Sequence, residues 1–197
     1  QTETVKLLMS DRPEMWRSVY DLGITRIIMP EFDAIMETQQ NTPHHMYNVG
    51  EHTLKALSLT EKDRILRLTM LLHDVAKPVC RTEDENGIHH FHGHPQVGAE
   101  MSRKILRRLK FDNDTIHRVM ALVRAHDDRP PLQGRSVRRA IYRNGTEQYP
   151  ELFEVKRADI LAQSSFLQQE KLLYVDRYEH MYQQIMEMKK AGNAILM

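Results

Sequence analysis

Apolar residues recur along most of this chain at the three- and four-residue spacing of amphipathic helices, and short polar or Pro/Gly breaks separate the stretches. Val5 to Met9 is a short apolar piece. Ser10 and Asp11 are N-cap candidates ahead of Pro13, and the stripe Met15, Trp16, Val19, Tyr20, Leu22 stops at Gly23. Ile27 to Met29 run into Pro30, which restarts a brief helix through Phe32, Ile35 and Met36. Gln39 to Pro43, with His44 and His45 beyond, reads as loop. A helix from Asn48 to Leu59 carries Val49, His52, Ala56 and Leu59 on one face. The central helix, Glu61 to Ala76, carries Ile65, Leu68, Met70, Leu71 and Leu72.

Beyond it, Cys80 to Phe91 holds a turn signal, Asp84-Glu85-Asn86-Gly87, between two non-helical arms, which makes a small hairpin or a loop. Pro95 begins a helix with Val97, Met101, Ile105 and Leu109. Asp112 caps the next, with Ile116, Val119, Val123 and His126. Pro130-Pro131 break the pattern, Ser136 to Tyr142 is a short basic helix, and Pro150 opens a long final helix reaching about Lys190, before Gly192. The expectation is an all-α bundle: residues 1–42 a helical lead-in, residues 43–197 a domain ending in the long helix.

Six polar side chains break the apolar faces. His73 and Asp74 sit side by side at the end of the central run. His52 shares a face with Val49 and Ala56, and His126 continues the line of Ile116, Val119 and Val123. His94 stands before Pro95 at a helix start, and Asp159 shares its face with Leu152, Val155 and Ala162. A lone histidine in such a place is ordinarily a satisfied core residue. An inward carboxylate without a partner is costly, by several kcal/mol, roughly, and a divalent ion is one compensation. The set suits one or two metals held by side chains projecting inward from several helices. His52, His73, Asp74 and Asp159 make one four-ligand site; His94 and His126 build a second with Asp74 bridging. Mixed imidazole and carboxylate donors fit Mn, Fe, Co, Ni or Zn, with Mg admitted, better than Ca. Two ions about 3.5–4 Å apart would polarise a water and clamp a phosphate, which is hydrolysis of a phosphate ester. Asp74 is then central to catalysis. Lys77, one turn beyond His73, either steadies the substrate phosphate or is a solvated helix-end charge. His92 is the reserve ligand should His94 fail; His117 and His180 read as surface residues.

Bulk properties narrow the picture little. The 197 residues suffice for one sizeable domain, and 41% hydrophobic with 28% charged residues is ordinary for a globular protein. No stretch is apolar enough to span a bilayer and no signal peptide is visible, so a cytoplasmic protein is expected. The single Cys80 excludes an internal disulfide framework. A net charge of +1 gives no global pull on nucleic acid. Arginine pairs Arg107-Arg108 and Arg138-Arg139, with neighbouring Arg103, Lys104, Lys110, Arg135 and Arg143, can track phosphates, and equally are ordinary solvated helix faces.

The order His52, His73-Asp74, Asp159 resembles the HD superfamily of metal-dependent phosphohydrolases, with His94 in Gly93-His94-Pro95-Gln96-Val97-Gly98-Ala99-Glu100 and His126 in Leu122-Val123-Arg124-Ala125-His126 similar to the added histidines of two-metal members. Over nearly the whole chain the sequence is similar to the part of bacterial CCA-adding tRNA nucleotidyltransferases that follows the catalytic head. The match runs through Lys6-Leu7-Leu8-Met9-Ser10-Asp11-Arg12-Pro13, Met29-Pro30-Glu31, the tract Pro43 to Leu54, and Arg157-Ala158-Asp159-Ile160-Leu161-Ala162-Gln163. The resemblance implies a phosphatase or 2′,3′-cyclic phosphodiesterase acting on a phosphate ester or nucleotide, with tRNA 3′ ends as neighbours. The Gly-Gly-x-Val-Arg-Asp motif and paired aspartates of the head are missing, so nucleotide addition is not expected from this chain alone. An opening Gln1 points to a head cut away, or else this is a head-less relative. The alternative reading is a helical tRNA-binding portion whose metal site is structural or inactive; a nucleotide-signal hydrolase unrelated to tRNA is a third.

Overall fold

The computed structural model describes residues 1–41, 47–145 and 148–195. The reading of His44 and His45 as loop and the division between residues 42 and 43 lie outside the described residues. The lead-in consists of α1 (Thr2–Leu8), a 3₁₀ turn at Pro13–Met15 running into α2 (Trp16–Asp21), α3 (Thr25–Ile28) and α4 (Pro30–Glu37). Ser10 and Asp11 cap neither helix: the Ser10 hydroxyl accepts from Arg12 N at 3.2 Å, and Asp11 faces outward to Lys62. Gly23 does close α2, in the left-handed region at φ 70°, where a side chain would be strained.

Next come α5 (Val49–Ser58), capped by the Asn48 side chain on Glu51 N, and α6 (Arg64–Leu72), capped by Asp63 on Ile65 N and Leu66 N. The sequence predicts α6 running to Ala76. Instead, the backbone tightens after Leu72: Val75 N bonds Leu72 O and Lys77 N bonds Asp74 O, a three-residue spacing. A new short helix, α7 (Lys77–Cys80), then starts with Pro78 in its first turn. Pro78 lacks the N–H that would continue the older helix and is accommodated only at a start. The turn His73–Ala76 is therefore a corner. The arms around Asp84–Gly87 form a hairpin, β1 (Thr82–Glu83) antiparallel to β2 (His89–His90), with Asp84 accepting from Asn86 N and Ile88 N.

α8 (His94–Arg108) and α9 (Asn113–Ala125) pack on each other, α9 lies against α6 and α8 against α7, and α10 (Gly134–Asn144) is the basic helix. Where the sequence predicts one helix from Pro150 to Lys190, the chain forms α11 (Tyr149–Ala162) and α12 (Gln168–Ile195), so the long helix starts later and passes Gly192. The break has a local cause. Gln163 turns extended at ψ −179°, the Ser164 hydroxyl accepts from Phe166 N, and the Gln168 amide donates to Ile160 O at 3.1 Å. Polar side chains here take over backbone groups that a continuing helix would need.

One apolar core joins the lead-in to the rest, from Leu8, Trp16, Phe32 and Ile35 through Leu57, Leu68, Met70 and Leu71 to Val119, Val123, Phe153 and Tyr178. Arg67, buried on α6, ties α1 to it by donating to the carbonyls of Leu8, Ser10 and Thr60. Gly50 lets α4 and α5 touch: a Cβ there would come within 2.8 Å of Met36 Cα. Gly98 of α8 faces the His73 corner, where an added Cβ would lie 3.6 Å from the His73 carbonyl, an ordinary contact. Among the described residues no helix is long and apolar enough to cross a membrane.

Candidate metal centre

Five helices deliver the six polar residues to one place. His52 comes from the first half of α5, His73 and Asp74 from the corner after α6, His94 from the first turn of α8, His126 from the end of α9, and Asp159 from the last turn of α11. All six are buried. His73 Nε2 lies 3.3 Å from His52 Nε2 and 3.2 Å from Asp74 Oδ2, and His52 Nε2 lies 2.9 Å from Asp159 Oδ1. On the other side of Asp74, His94 Nε2 lies 3.3 Å from Asp74 Oδ1 and 3.3 Å from His126 Nε2. Two groups thus form, His52–His73–Asp74 and Asp74–His94–His126, each compact enough to hold a metal ion, with Asp74 common to both. Asp159 closes the first group from the α11 side.

The outer nitrogens show which way these rings are wired. Nδ1 of His73 faces Met70 O at 2.7 Å, that of His94 faces Phe91 O at 2.8 Å, that of His126 faces Val123 O at 2.7 Å, and that of His52 faces Ala162 O at 3.4 Å. A carbonyl only accepts, so Nδ1 carries the proton in each ring, and in the neutral tautomer Nε2 presents a bare lone pair inward. Two such lone pairs 3.3 Å apart repel, twice over, and both pairs face carboxylates. Backbone carbonyls locking histidine tautomers from outside are the usual surround of a metal site.

Asp74 completes the test. Lys77 Nζ sits 2.7 Å from its Oδ2, yet off the line of a hydrogen bond, so this buried oxygen has no hydrogen-bond partner. Burial works against ionisation of Asp74, but His73 and Lys77 hold its carboxyl well below the usual range; His52 and His73 do the same for Asp159. Burial also opposes a charge on His73, and the Asp74 and Asp159 carboxylates outweigh it, lifting the imidazole to about 10. His126 goes the other way, pushed down by burial. The pocket calls for positive charge between His52 and Asp159, and without a cation a proton on His73 supplies it. The donor set and the orphaned oxygen fit a divalent ion.

Lys77 is no solvated helix end. It is buried at the start of α7, with Nζ 2.7 Å from Gln40 Oε1 and 5.3 Å above the Phe91 ring. Gln40 is a site neighbour that carries no signal in the sequence. A cleft of about 480 Å³ opens onto Asp74, His94, His126 and Asp159, walled by Lys77, the β2 arm from Ile88 to Gly93, Arg129 and Lys171. His92 lies exposed on that wall, stacked on His90 and apart from both ligand groups. His117 and His180 are exposed, as expected. His89 is buried instead, receiving Asn41 N at 3.0 Å and holding the hairpin to the end of the lead-in. Arg107, Arg138 and Arg139 are exposed, while Arg108 forks onto Glu31, at 3.0 and 2.6 Å.

Fold and site together define an all-helical domain whose paired His/Asp clusters, joined by a corner aspartate, can hold divalent metal. The chain belongs to the HD domain family, whose pattern matches residues 43–164. It is 35% identical to a CC-adding tRNA nucleotidyltransferase from Thermus thermophilus, over 81% of this chain and 38% of that protein. It is 38% identical to an A-adding tRNA nucleotidyltransferase from Deinococcus radiodurans, over 70% of this chain and 33% of that one. A bifunctional uridylyltransferase/uridylyl-removing enzyme from Ruegeria pomeroyi shares 29% identity over 61% of the chain and 14% of its own length. The chain thus spans little more than a third of the tRNA nucleotidyltransferases it matches.

Proposed function

We propose that this chain is a metal-dependent phosphohydrolase that cleaves phosphomonoesters or cyclic phosphodiesters, 2′,3′-cyclic nucleotides among them. One observation carries the reading: four imidazole Nε2 atoms and two ionised carboxylates converge, and Asp74, His94, His126 and Asp159 of that set floor an open cleft whose walls bring Lys77, Lys171 and an Arg129 paired to Asp127. His52, His73, Asp74 and Asp159 hold one ion and His94, His126 and Asp74 a second, from the Mn, Fe, Co, Ni, Zn or Mg group. When bound, such a pair supplies Lewis acidity to the phosphoryl group and acidifies water. Lys77 keeps Asp74 ionised and in place. Arg129 and Lys171 draw the anionic ester in and offset the charge gathering on its oxygens. Net, water oxygen bonds to phosphorus, the ester P–O bond breaks, and the departing oxygen takes a proton, giving phosphate and an alcohol, or a monoester from the cyclic substrate. Elemental analysis of the purified chain, then a screen of phosphomonoesters and 2′,3′-cyclic nucleotides, tests this. Metal near one or two equivalents with turnover is expected; a metal-free chain after reconstitution overturns it.

Two relatives are named as tRNA nucleotidyltransferases, which supports a second reading, a tRNA-binding part whose metal site is structural. The exposed arginines of α10 support it. On that reading tRNA affinity falls steeply with salt and survives loss of Asp74; salt-insensitive binding sinks it.

A further inference from the structure

The cleft has a second lobe. Behind Arg129 and Lys171 a cavity of about 280 Å³ runs between α11 and α12, lined by Ile160, Leu167, Tyr174 and Val175. His126, Asp159, Arg129 and Lys171 border both spaces, so the lobe opens directly on the metal centre. Its character differs from the main cleft: the body is mostly apolar, with the buried Lys156 ammonium turned onto backbone carbonyls, charge at the junction of the two spaces, and Glu170 at its rim.

Two features mark the lobe as organised rather than left over. Tyr174 donates its hydroxyl to Pro130 O at 2.7 Å, which fixes the ring and leaves it as a wall. Leu167 sits at φ 52°, a left-handed conformation that a bulky side chain rarely takes, in the very break that splits the last helix. Leu167 stays 43% exposed. This backbone starts α12, with Leu167 O accepting from Lys171 N, and at the same time holds an exposed leucine against the cavity; such strain gathers where ligands are held. Beneath the lobe, buried Lys156 donates to His126 O and Asp128 O, each at 2.7 Å, fixing the segment that carries Arg129.

We propose that this lobe seats a flat heteroaromatic ring on the alcohol side of the scissile ester, so that Tyr174 and Leu167 select nucleoside phosphates over alkyl and sugar phosphates. The inference rests on the phosphohydrolase reading for its second half, the ester, but not for the ring. The phosphate end meets Arg129 and Lys171 at the junction, and the ring passes inward to Tyr174, Ile160 and Val175. Glu170 offers an acceptor at the rim, which suits a ring bearing an N–H donor, as nucleobases do, better than a phenyl group or an acyl chain. Stacking on a fixed tyrosine face is tolerant of which base is present.

The test uses the full chain and adenosine, which has no phosphate and needs no metal. With chelator present, adenosine should shift the methyl resonances of Leu167, Ile160 and Val175. Tyr174→Ala should weaken binding at least fivefold, the loss of one base–aromatic stack, while Tyr174→Phe, which keeps the ring, should stay near native. Leu167→Gly should weaken binding several-fold without lowering the thermal midpoint, because glycine accepts that backbone; a merely structural leucine would give the opposite. Unshifted methyls, or native affinity in Tyr174→Ala, overturn the ring site. Metal-loaded chain should then hydrolyse adenosine monophosphate with a KM well below that for glycerol phosphate. Equal KM values for the two esters sink the selectivity alone. Adenosine binding with no hydrolysis of any ester sinks the phosphohydrolase reading and leaves the ring site standing.

Discussion

Two polar seams run through the interior of this bundle. At one, α11 packs on α12 through Tyr149, Phe153, Tyr178 and Tyr182, with Tyr149 and Phe153 edge-on to Tyr178 and Tyr149 stacked on Tyr182 at 5.1 Å. Tyr149 and Tyr178 hydroxyls meet at 3.0 Å, and Asn144 donates to Tyr149. At the other, four imidazoles and two carboxylates face one another with an orphaned Asp74 oxygen at the centre. Asp159, on the opposite stretch of α11 from Tyr149, belongs to the second seam. The same helix thus supports both solutions. A buried polar group given a protein partner adds to folding; one crowded by further acceptors, with only the Lys77 ammonium beside it and no hydrogen bond made, is a standing demand for a cation.

If that contrast is right, the two seams respond to mutation in opposite ways. The largest effect expected is from Asp74→Ala, which should empty both ion positions, take hydrolysis to background, and leave the helical signal in circular dichroism in place. Full metal content in that variant would count against the ligand assignment. Phe153→Ala should do the reverse. Phe153 is wholly buried among the three tyrosines, and truncation of such a side chain costs about 3–5 kcal/mol. For a chain this long the thermal midpoint should fall by roughly 6–20 °C, while metal stoichiometry at room temperature stays at the native value. Chelation sits between them: a ligand held at about a thousand times its Kd contributes about 4 kcal/mol, so stripping metal should lower the midpoint of the native chain and not that of Asp74→Ala.

The seams were not equally legible beforehand. Ionisable residues on apolar helix faces announce themselves, because leaving His52 or Asp159 unpartnered there is costly and helical periodicity shows the face. That logic works for residues mid-helix, and the structure brings all six together. It fails where the chain turns. Nothing in His73–Lys77 shows that the run bends there, so the sequence leaves Lys77 as either a phosphate contact or a solvated helix end, and the corner makes it a buried partner of Asp74 and Gln40. Gln163-Ser164-Ser165 contains neither proline nor glycine, and the apolar period resumes past it, so α11 and α12 read as one helix. The hydrogen bonds that break them reach across eight residues, from Gln168 to Ile160. Gln40, Arg129, Tyr174 and Leu167 are placed by tertiary structure alone. Tyr178 and Tyr182 fall within the long helix predicted from Pro150, and Tyr149 lies just ahead of it. Tyr178 and Tyr182 share a face by their four-residue spacing, but that Tyr149 of α11 meets them depends on the break.

The smallest effect expected separates the seams by pH. Burial raises the phenols of Tyr149, Tyr178 and Tyr182, and lifts Tyr174 to about 12. Below the ordinary phenol pKa, about 10, folded and unfolded chains both hold these protons, and the shifts contribute nothing. Above it the unfolded chain releases them first and binds fewer protons than the folded one, so stability falls as pH rises, by roughly 1.4 kcal/mol per pH unit for each phenol kept neutral. Tyr178→Phe removes one such group. At neutral pH it should cost about 1 kcal/mol, the worth of its bond to Tyr149. Between pH 10 and 12 the variant should lose stability with pH less steeply than the native chain, so that the two converge. Urea titrations across that range measure both, and parallel curves would mean that the Tyr178 hydroxyl is ionising inside the folded protein, contrary to the closed aromatic seam described above.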